Sequence, residues 1–213
     1  MPLQNNSDML RDVVFLDRDG VINEDSPDYI RSWDEFRFIP GSTEAIRCLT
    51  EHGFAVILIT NQSAVNRGMI TRQTLEHMHT MMRLAVEAAG GRITDIFFCP
   101  HRPDEGCGCR KPAPGLIRKA QAIYGIDPAT ACMVGDSAKD IECARNAGCA
   151  RSILVRTGNG RASEKILEHK NIRPDHIVAN LYEAAVLICG CEKKRSGRSA
   201  ETPDPSCCFR TTA

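Results

Sequence analysis

A short apolar run that ends in two carboxylates limits the fold of this chain more than any other stretch. Val13–Leu16 is apolar at four consecutive positions, which is typical of a strand buried on both faces of a parallel sheet. Asp17, Arg18 and Asp19 follow at once, and open α/β sheets bind ligands outside the carboxyl ends of their strands. An acidic turn is the simpler explanation of a bare Asp-x-Asp, so any chemistry here depends on what else reaches this edge.

Strand and helix patterns alternate along the rest of the chain. Further strands are predicted at 55–59, 93–99, 131–134, 153–155 and 176–179, and helices at 42–53, 71–89, 114–125, 140–147 and 181–189. This order favours an α/β fold with a doubly wound, mostly parallel sheet and right-handed crossovers. We expect one domain over 1–189 and a disordered tail over 190–213, because the tail is charged, small and interrupted by proline.

Composition excludes several classes of partner. The 213 residues carry 27 basic and 27 acidic side chains, so the chain has no basic footprint for nucleic acid. No apolar run approaches the roughly 20 residues that cross a bilayer, and the polar N-terminus lacks the basic and apolar parts of a secretory signal. We therefore expect a cytoplasmic monomer that acts on a small molecule, without a membrane or nucleic-acid partner.

Four groups of polar residues fall at predicted strand ends or just after a crossover. They are Asp17 with Asp19, then Thr60, then Lys111, and then Asp136 with Asp140. A solvated lysine, a capping threonine or a capping aspartate would each be unremarkable alone. Their order and types, with the sequence from Asp17 to Asn23 reading D-R-D-G-V-I-N, resemble the four motifs of the haloacid dehalogenase superfamily of aspartate-nucleophile phosphatases. That resemblance implies a Rossmann-like domain without a large cap.

The resemblance assigns a role to each motif. Asp17 is expected to be the nucleophile, because carboxylate attack divides phosphate ester hydrolysis into two easier displacements. Asp19 is expected to be the general acid and base, which requires a raised pKa. Thr60 and Lys111 would bind the phosphate. Adjacent carboxylates facing a phosphate need a cation, and magnesium prefers oxygen ligands. The resemblance implies that Asp17, the Asp19 carbonyl and Asp136 bind the magnesium directly, whereas Asp140 lies next to these ligands without binding the ion.

A cysteine-rich loop between the third strand and the next helix indicates a second metal. Cys99 and His101 are followed by Cys107 and Cys109, and three thiolates with one imidazole form a usual closed tetrahedral zinc set. Such a site is structural, since no position remains for an activated water. The alternative is a loop with free thiols. Reduced thiols that pack as small hydrophobic side chains are expected at four other positions, Cys48, Cys132, Cys143 and Cys149.

The zinc loop and the first two motifs narrow the resemblance to a branch of the superfamily that hydrolyses small phosphorylated metabolites. The favoured substrate is a heptose 1,7-bisphosphate cleaved at C7; histidinol phosphate or another sugar phosphate is the alternative. A polynucleotide 3′-phosphatase is disfavoured by the neutral charge, and a non-catalytic binding module would need neither Asp17 nor Asp19. The implied substrate contacts are Asp25, Thr60, Asn61, Gln62, Ser63, Arg110 and Lys111.

Two departures from the family pattern concern the substrate rather than the chemistry. The segment from Asp25 to Tyr29 lacks the glycine-tyrosine pair that is common in the family, and Ser137 follows Asp136 where a lysine is often found. A weaker contact to a second phosphate is the expected consequence.

Overall fold

The computed structural model describes Leu10 and residues 12–190, and these form one six-stranded parallel sheet with helices on both faces. The strand order is β3-β2-β1-β4-β5-β6, so the first strand lies in the middle and the order reverses beside it. The predicted doubly wound α/β fold is confirmed. The strands are β1 Val13–Leu16, β2 Ala55–Asn61, β3 Asp95–Cys99, β4 Cys132–Gly135, β5 Arg151–Val155 and β6 His176–Val178.

The helices follow the predicted periodicity in five of six cases. Thr71 is the N-cap of the second helix, and its hydroxyl accepts a hydrogen bond from the Thr74 amide at 3.0 Å. The predicted start of the fourth helix at Asp140 is late, because Ser137 and Asp140 form a capping box one turn earlier. The helices are α1 Ser42–Glu51, α2 Arg72–Ala88, α3 Gly115–Tyr124, α4 Ala138–Ala147, α5 Gly160–His169 and α6 Leu181–Ile188.

Helix α5 was not predicted from the sequence. It follows Gly158, Asn159 and Gly160, and of its ten residues only Leu167 buries a large apolar side chain. The helix is amphipathic, but it has few apolar residues and no side-chain cap, so its start carries no capping signal. The helix matters for function because its N-cap residue, Asn159, reaches the candidate site.

The core has two main parts, one on each face of the sheet. Val14 and Leu16 of β1 face α1, α2 and α6, whereas Val13 and Phe15 face α3 and α4. All four side chains are at most 1% exposed, which confirms a strand buried on both faces. Between β1 and α1 the only helical element is the three-residue 3-10 helix Trp33–Glu35, so this segment is a short flap.

Two further expectations concern membrane-spanning helices and the C-terminal tail. None of the helices in the described part of the chain combines the length and apolar character that a bilayer crossing requires. The predicted disordered tail lies outside the described residues, except for Gly190.

Candidate active site

The carboxyl ends of β1, β2 and β4 open into one cavity of about 310 Å³. Every residue that the sequence predicted to be catalytic or substrate-binding, or to bind magnesium, lines this cavity. These residues are Asp17, Asp19, Asp25, Thr60, Asn61, Gln62, Ser63, Arg110, Lys111 and Asp136. Parallel strands bring their carboxyl ends to the same edge, which explains why motifs separated by more than a hundred residues converge.

A buried lysine lies between two carboxylates at the base of the cavity. Lys111 is 2% exposed, and its Nζ lies 2.8 Å from Asp17 Oδ1 and 2.6 Å from Asp140 Oδ1. Asp140 is fully buried, and its Oδ2 accepts a hydrogen bond from the Ser137 amide at 2.9 Å. Burial alone would lower the pKa of Lys111, but the charges of Asp140 and Asp17 raise it further, so the ammonium stays protonated.

Asp136 approaches the same point from β4. Its Oδ2 accepts hydrogen bonds from the Asn159 amide at 2.7 Å and from Asn159 Nδ2 at 3.3 Å. Two glycines make room for the carboxylate: a Cβ on Gly20 or on Gly158 would meet Asp136 Oδ2, and both glycines have positive φ. The position of Asp136 therefore depends on the end of β1 and on the start of α5.

Three carboxylates share this small volume. Burial raises the pKa of Asp17 to about 7, with the Lys111 charge opposing the rise and the Asp140 charge adding to it. Burial also raises the pKa of Asp136 to about 8, assisted by the negative charges of Asp140 and Asp17. One lysine does not neutralise three acids, so the cluster favours either protons or an additional cation.

The donor set at this cluster fits a hard divalent cation. Single carboxylate oxygens of Asp17, Asp136 and Asp140 all lie within 4.8 Å of one another. Oxygen ligands of this kind are those that magnesium prefers, and an open cavity leaves room for water and phosphate oxygens.

Asp19 lies in a network of donors that the sequence did not reveal. Its Oδ1 accepts from Arg18 Nη2 at 2.7 Å and from Asn23 Nδ2 at 2.9 Å, and its Oδ2 accepts from Gln62 Nε2 at 2.7 Å. Burial favours the protonated form, but the Arg18 charge and these hydrogen bonds outweigh it, so the pKa of Asp19 is lowered. The expectation of a raised pKa is wrong for this structure, because the Arg18 charge and three side-chain hydrogen bonds together outweigh the effect of burial.

Arg18 itself points into the protein rather than into solvent. It is 1% exposed, and its Nη1 lies 3.5 Å from His79 Nε2. Burial and the Arg18 charge lower the pKa of His79 to about 3, so the imidazole is neutral and can accept from the guanidinium. A buried arginine between two aspartates carries no periodicity signal, and only the packing of α2 against β1 reveals its direction.

The last residue of β2 holds the loop that carries Lys111 in place. The Asn61 side chain accepts from the Lys111 amide at 3.0 Å and donates to the Lys111 carbonyl at 3.2 Å. Gln62 Nε2 also donates to Thr60 Oγ1 at 2.9 Å. The side chain of Asn61, predicted to contact substrate, is therefore engaged with the Lys111 backbone, although the residue lines the cavity.

The four predicted zinc ligands converge on one point. Their sulfur and nitrogen atoms lie within 4.8 Å of one another, with Sγ to Sγ distances of 3.2, 3.5 and 3.6 Å. His101 Nδ1 lies 3.4 Å from Cys99 Sγ and 3.3 Å from Cys109 Sγ. Tetrahedral zinc with its usual bond lengths requires edges of about 3.8 Å between sulfurs and about 3.6 Å from sulfur to nitrogen. The cluster is close to that size.

The cysteine-rich loop also fixes the direction of the Arg110 side chain. Arg110 follows Cys109 directly, and its Nη1 donates to the His101 carbonyl at 3.0 Å, while the residue lines the cavity.

The pKa of one cysteine in this loop favours metal binding. Burial raises the pKa of Cys107, but hydrogen bonds from the amides of Cys109 and Arg110 lower it to about 7, which favours a thiolate.

Several cavity or network residues were given no role from the sequence, and four of them have side chains that carry charge or bind a charged group. Asn159 links Asp136 to Asp25, whose Oδ2 accepts from Asn159 Nδ2 at 2.8 Å. Lys139 lines the cavity three residues after Asp136, close to the place where Ser137 replaces the more common lysine. Arg18 and His79 are the other two. Only Lys139 had a usable signal, its position in the first turn of the helix after Asp136.

Comparisons with known proteins agree with this geometry. Residues 108–184 match the HAD-hydrolase-like family model. The D-glycero-beta-D-manno-heptose-1,7-bisphosphate 7-phosphatase of Bordetella bronchiseptica is 47% identical over 149 residues, covering 70% of this chain and 83% of that protein. The enzyme of the same name from Pseudomonas putida is 44% identical over 168 residues, covering 78% and 95%.

A solved structure extends the similarity to three dimensions. The crystal structure of D,D-heptose 1,7-bisphosphate phosphatase from B. bronchiseptica, in complex with magnesium and phosphate, superposes with a TM-score of 0.79. Its sequence is 40% identical, and the match covers 85% of this chain and 99% of that one.

Proposed function

This chain belongs to the family of D-glycero-beta-D-manno-heptose-1,7-bisphosphate 7-phosphatases, phosphoric monoester hydrolases with a HAD-like fold, and from this premise we propose its reaction. The substrate is D-glycero-D-manno-heptose 1,7-bisphosphate, in the β-anomeric form that the names of the relatives specify, and the C7 phosphate is removed. The observation that carries the proposal is the convergence of Asp17, Lys111 and Asp136 on one cavity beside Asp19.

The first step is attack by an Asp17 carboxylate oxygen on the phosphorus of the C7 phosphate. A P–O bond forms to Asp17, the bond to the C7 oxygen breaks, and Asp19 donates a proton to that oxygen. The Lys111 ammonium and the Arg18 amide, which donates to Asp17 Oδ1 at 2.7 Å, fix the rotation of the carboxylate. Positioning of this kind is a main source of catalysis in phosphoryl transfer.

The second step is hydrolysis of the aspartyl phosphate. A water attacks phosphorus, Asp19 accepts its proton, and the P–O bond to Asp17 breaks to release inorganic phosphate. Asp19 must be protonated when substrate arrives, whereas Arg18 favours its ionised form. The negative charge of a bound phosphate raises the pKa of Asp19, so substrate binding itself prepares the acid.

The carboxylate cluster supports magnesium as the catalytic cation. Asp17, Asp136 and the Asp19 carbonyl are the proposed ligands, and the ion pair with Lys111 gives Asp140 a supporting position behind them. Bound magnesium would neutralise charge on the transferring phosphoryl group. The neighbouring Arg110 and Lys139, which line the cavity, supply further positive charge for the substrate's phosphates.

Zinc in the loop of Cys99, His101, Cys107 and Cys109 has a structural role in this proposal. The distances between the four ligand atoms fit a closed tetrahedral site, and a bound zinc ion would fix Arg110 and Lys111 relative to β3. Holding the two cations in place in advance reduces the entropy cost of substrate binding.

The proposal places the reaction in the cytoplasm and needs only one chain. The residues with assigned roles all come from a single chain, and the eight described cysteines are thiols, as in a reducing compartment.

A substrate panel tests the proposal. Phosphate release should be fastest with the β-anomer of the heptose bisphosphate, slower with the α-anomer and slowest with histidinol phosphate. Asp17→Asn keeps the shape of the side chain but is a far poorer nucleophile, so turnover should be abolished. Preference for histidinol phosphate would contradict the substrate, and near-normal turnover by Asp17→Asn would contradict the mechanism.

A further inference from the structure

A second cluster of soft metal ligands lies where α1 and α6 end. Cys48 is in the last turn of α1, His52 is its C-cap, and Cys189 is the C-cap of α6. Helix α1 leads through Gly53 into the start of β2 at Ala55, so this cluster lies at the amino-terminal edge of the sheet. The active site is at the opposite edge, and the cluster has no part in the proposed reaction.

Two of the distances between the ligand atoms are close to those of a tetrahedral metal site. Cys48 Sγ lies 3.7 Å from Cys189 Sγ and 3.9 Å from His52 Nδ1, and one ligand atom of each residue lies within 4.8 Å of the other two. Tetrahedral zinc requires edges of about 3.8 Å between sulfurs and about 3.6 Å from sulfur to nitrogen. Cys48 and His52 are four residues apart on one helix, which places both on the same face.

The surroundings suit a thiolate-bound ion that enters from solvent. Cys48 is fully buried in the apolar core, Cys189 is half-buried, and His52 is exposed. His52 Nδ1 lies 2.8 Å from the Cys48 carbonyl oxygen, so a metal at Nδ1 would replace this hydrogen bond and move the ring proton to Nε2. Uptake of the metal would also release protons from the two thiols.

The sequence adds an independent observation. Cys189 begins the tripeptide Cys-Gly-Cys, and the same tripeptide at 107–109 supplies two of the four ligands of the loop cluster. Its second cysteine here, Cys191, lies outside the described residues.

We propose that Cys48, His52 and Cys189 form a second metal site, specific for a soft divalent cation of the zinc class. The ion joins the C-terminal ends of α1 and α6, and these two helices already pack against each other in the core. Its effect is on stability: a ligand that binds only the folded chain holds the last described helix in place.

Zinc content in matched variants tests the site. Wild type, Cys189→Ser, His52→Ala and Cys149→Ser are purified under reducing conditions without chelator, dialysed against Zn²⁺ and analysed for zinc by mass spectrometry. Cys149→Ser removes a half-buried thiol that is outside both clusters. Cys189→Ser and His52→Ala should each hold about one zinc per chain fewer than Cys149→Ser, and added Zn²⁺ should raise their melting temperature less.

Two controls separate this site from the zinc loop and from misfolding. Cys107→Ser should lose a different zinc, so its combination with Cys189→Ser should lose both. Cys189→Ser, His52→Ala and Cys149→Ser should keep phosphatase activity, because none of these residues lines the active-site cavity. Equal zinc in Cys189→Ser, His52→Ala and Cys149→Ser would overturn the proposal, and so would a disulfide between Cys48 and Cys189 in place of the metal.

Discussion

Replacing Lys111 by methionine should destabilise the protein in a strongly pH-dependent manner. The ammonium is 2% exposed and contacts both Asp17 and Asp140, so Lys111→Met leaves two buried carboxylates without their counter-ion. Methionine keeps the length and apolar stem of the side chain. The charge is the main property that changes, and turnover should fall with it.

The size of the effect follows from burial. Removing one partner of a buried ion pair costs about 3–5 kcal/mol of unfolding free energy. The pKa of Asp17 is raised to about 7 and that of Asp136 to about 8, and a carboxyl with a raised folded pKa loses stability as the pH rises through that value. The Lys111 charge lowers both pKa values, so Lys111→Met should raise them further, and the variant should lose more stability than the wild type as the pH rises. A further rise of one pKa unit makes the cost of Lys111→Met about 1.4 kcal/mol larger near pH 9 than near pH 5.5.

Urea unfolding in magnesium-free buffer at the two pH values measures this cost. Lys165→Met is the matched control, because Lys165 is exposed on α5 and its loss should change stability by no more than about 0.5 kcal/mol. In an Asp140→Asn background the cost of Lys111→Met should fall, since one of the uncompensated charges is gone. The same cost at both pH values, or no more than for Lys165→Met, would refute the reasoning.

Three further predictions concern the metals and the glycines. Gly158→Ala should lower turnover by more than about tenfold because its Cβ would displace the Asp136 carboxylate. Gly53 also has a positive φ but has open space around it, so Gly53→Ala should not lower turnover, and equal turnover of the two variants by steady-state kinetics would contradict this account. Cys109→Ala should lower the zinc content and the melting temperature and raise KM, because the loop no longer holds Arg110. Turnover that depends on Asp17 should persist at a reduced level. An unchanged KM would show that the loop does not position Arg110. Mild EDTA should abolish activity that magnesium alone restores, because magnesium exchanges more readily than thiolate-bound zinc; restoration by zinc would contradict the assignment.

Much of the fold could be predicted from local pattern. Strands buried on both faces have continuous apolar runs, and helices such as α2 have both an apolar stripe and a recognisable cap at Thr71. Helix α5 has an apolar face, but it has few apolar residues and no side-chain cap, and it was missed. The position of Asp136 depends on that helix, so one local omission removed Asn159 from the predicted site.

The predicted site residues and their meeting place came from the order of the motifs. Parallel strands must bring Asp17, Thr60 and Asp136 to one edge once the α/β fold is recognised, and the metal-ligand spacing of Cys99 to Cys109 is visible in the sequence itself. Charge balance could not be predicted in this way. The lowered pKa of Asp19 depends on Arg18 turning inward, and the raised pKa of Asp136 depends on burial.

The chemical groups of the site, their order along the chain and the sheet edge where they lie could all be predicted from the sequence. The contacts between these groups are seen only in the folded chain. Lys111 lies between Asp17 and Asp140, Asn159 donates to Asp136, and Cys48 lies next to Cys189. The two kinds of information depend on interactions over different distances along the chain. Periodicity, caps and ligand spacing are properties of neighbouring residues, whereas a pKa or a contact between residues 141 positions apart depends on how the whole chain packs.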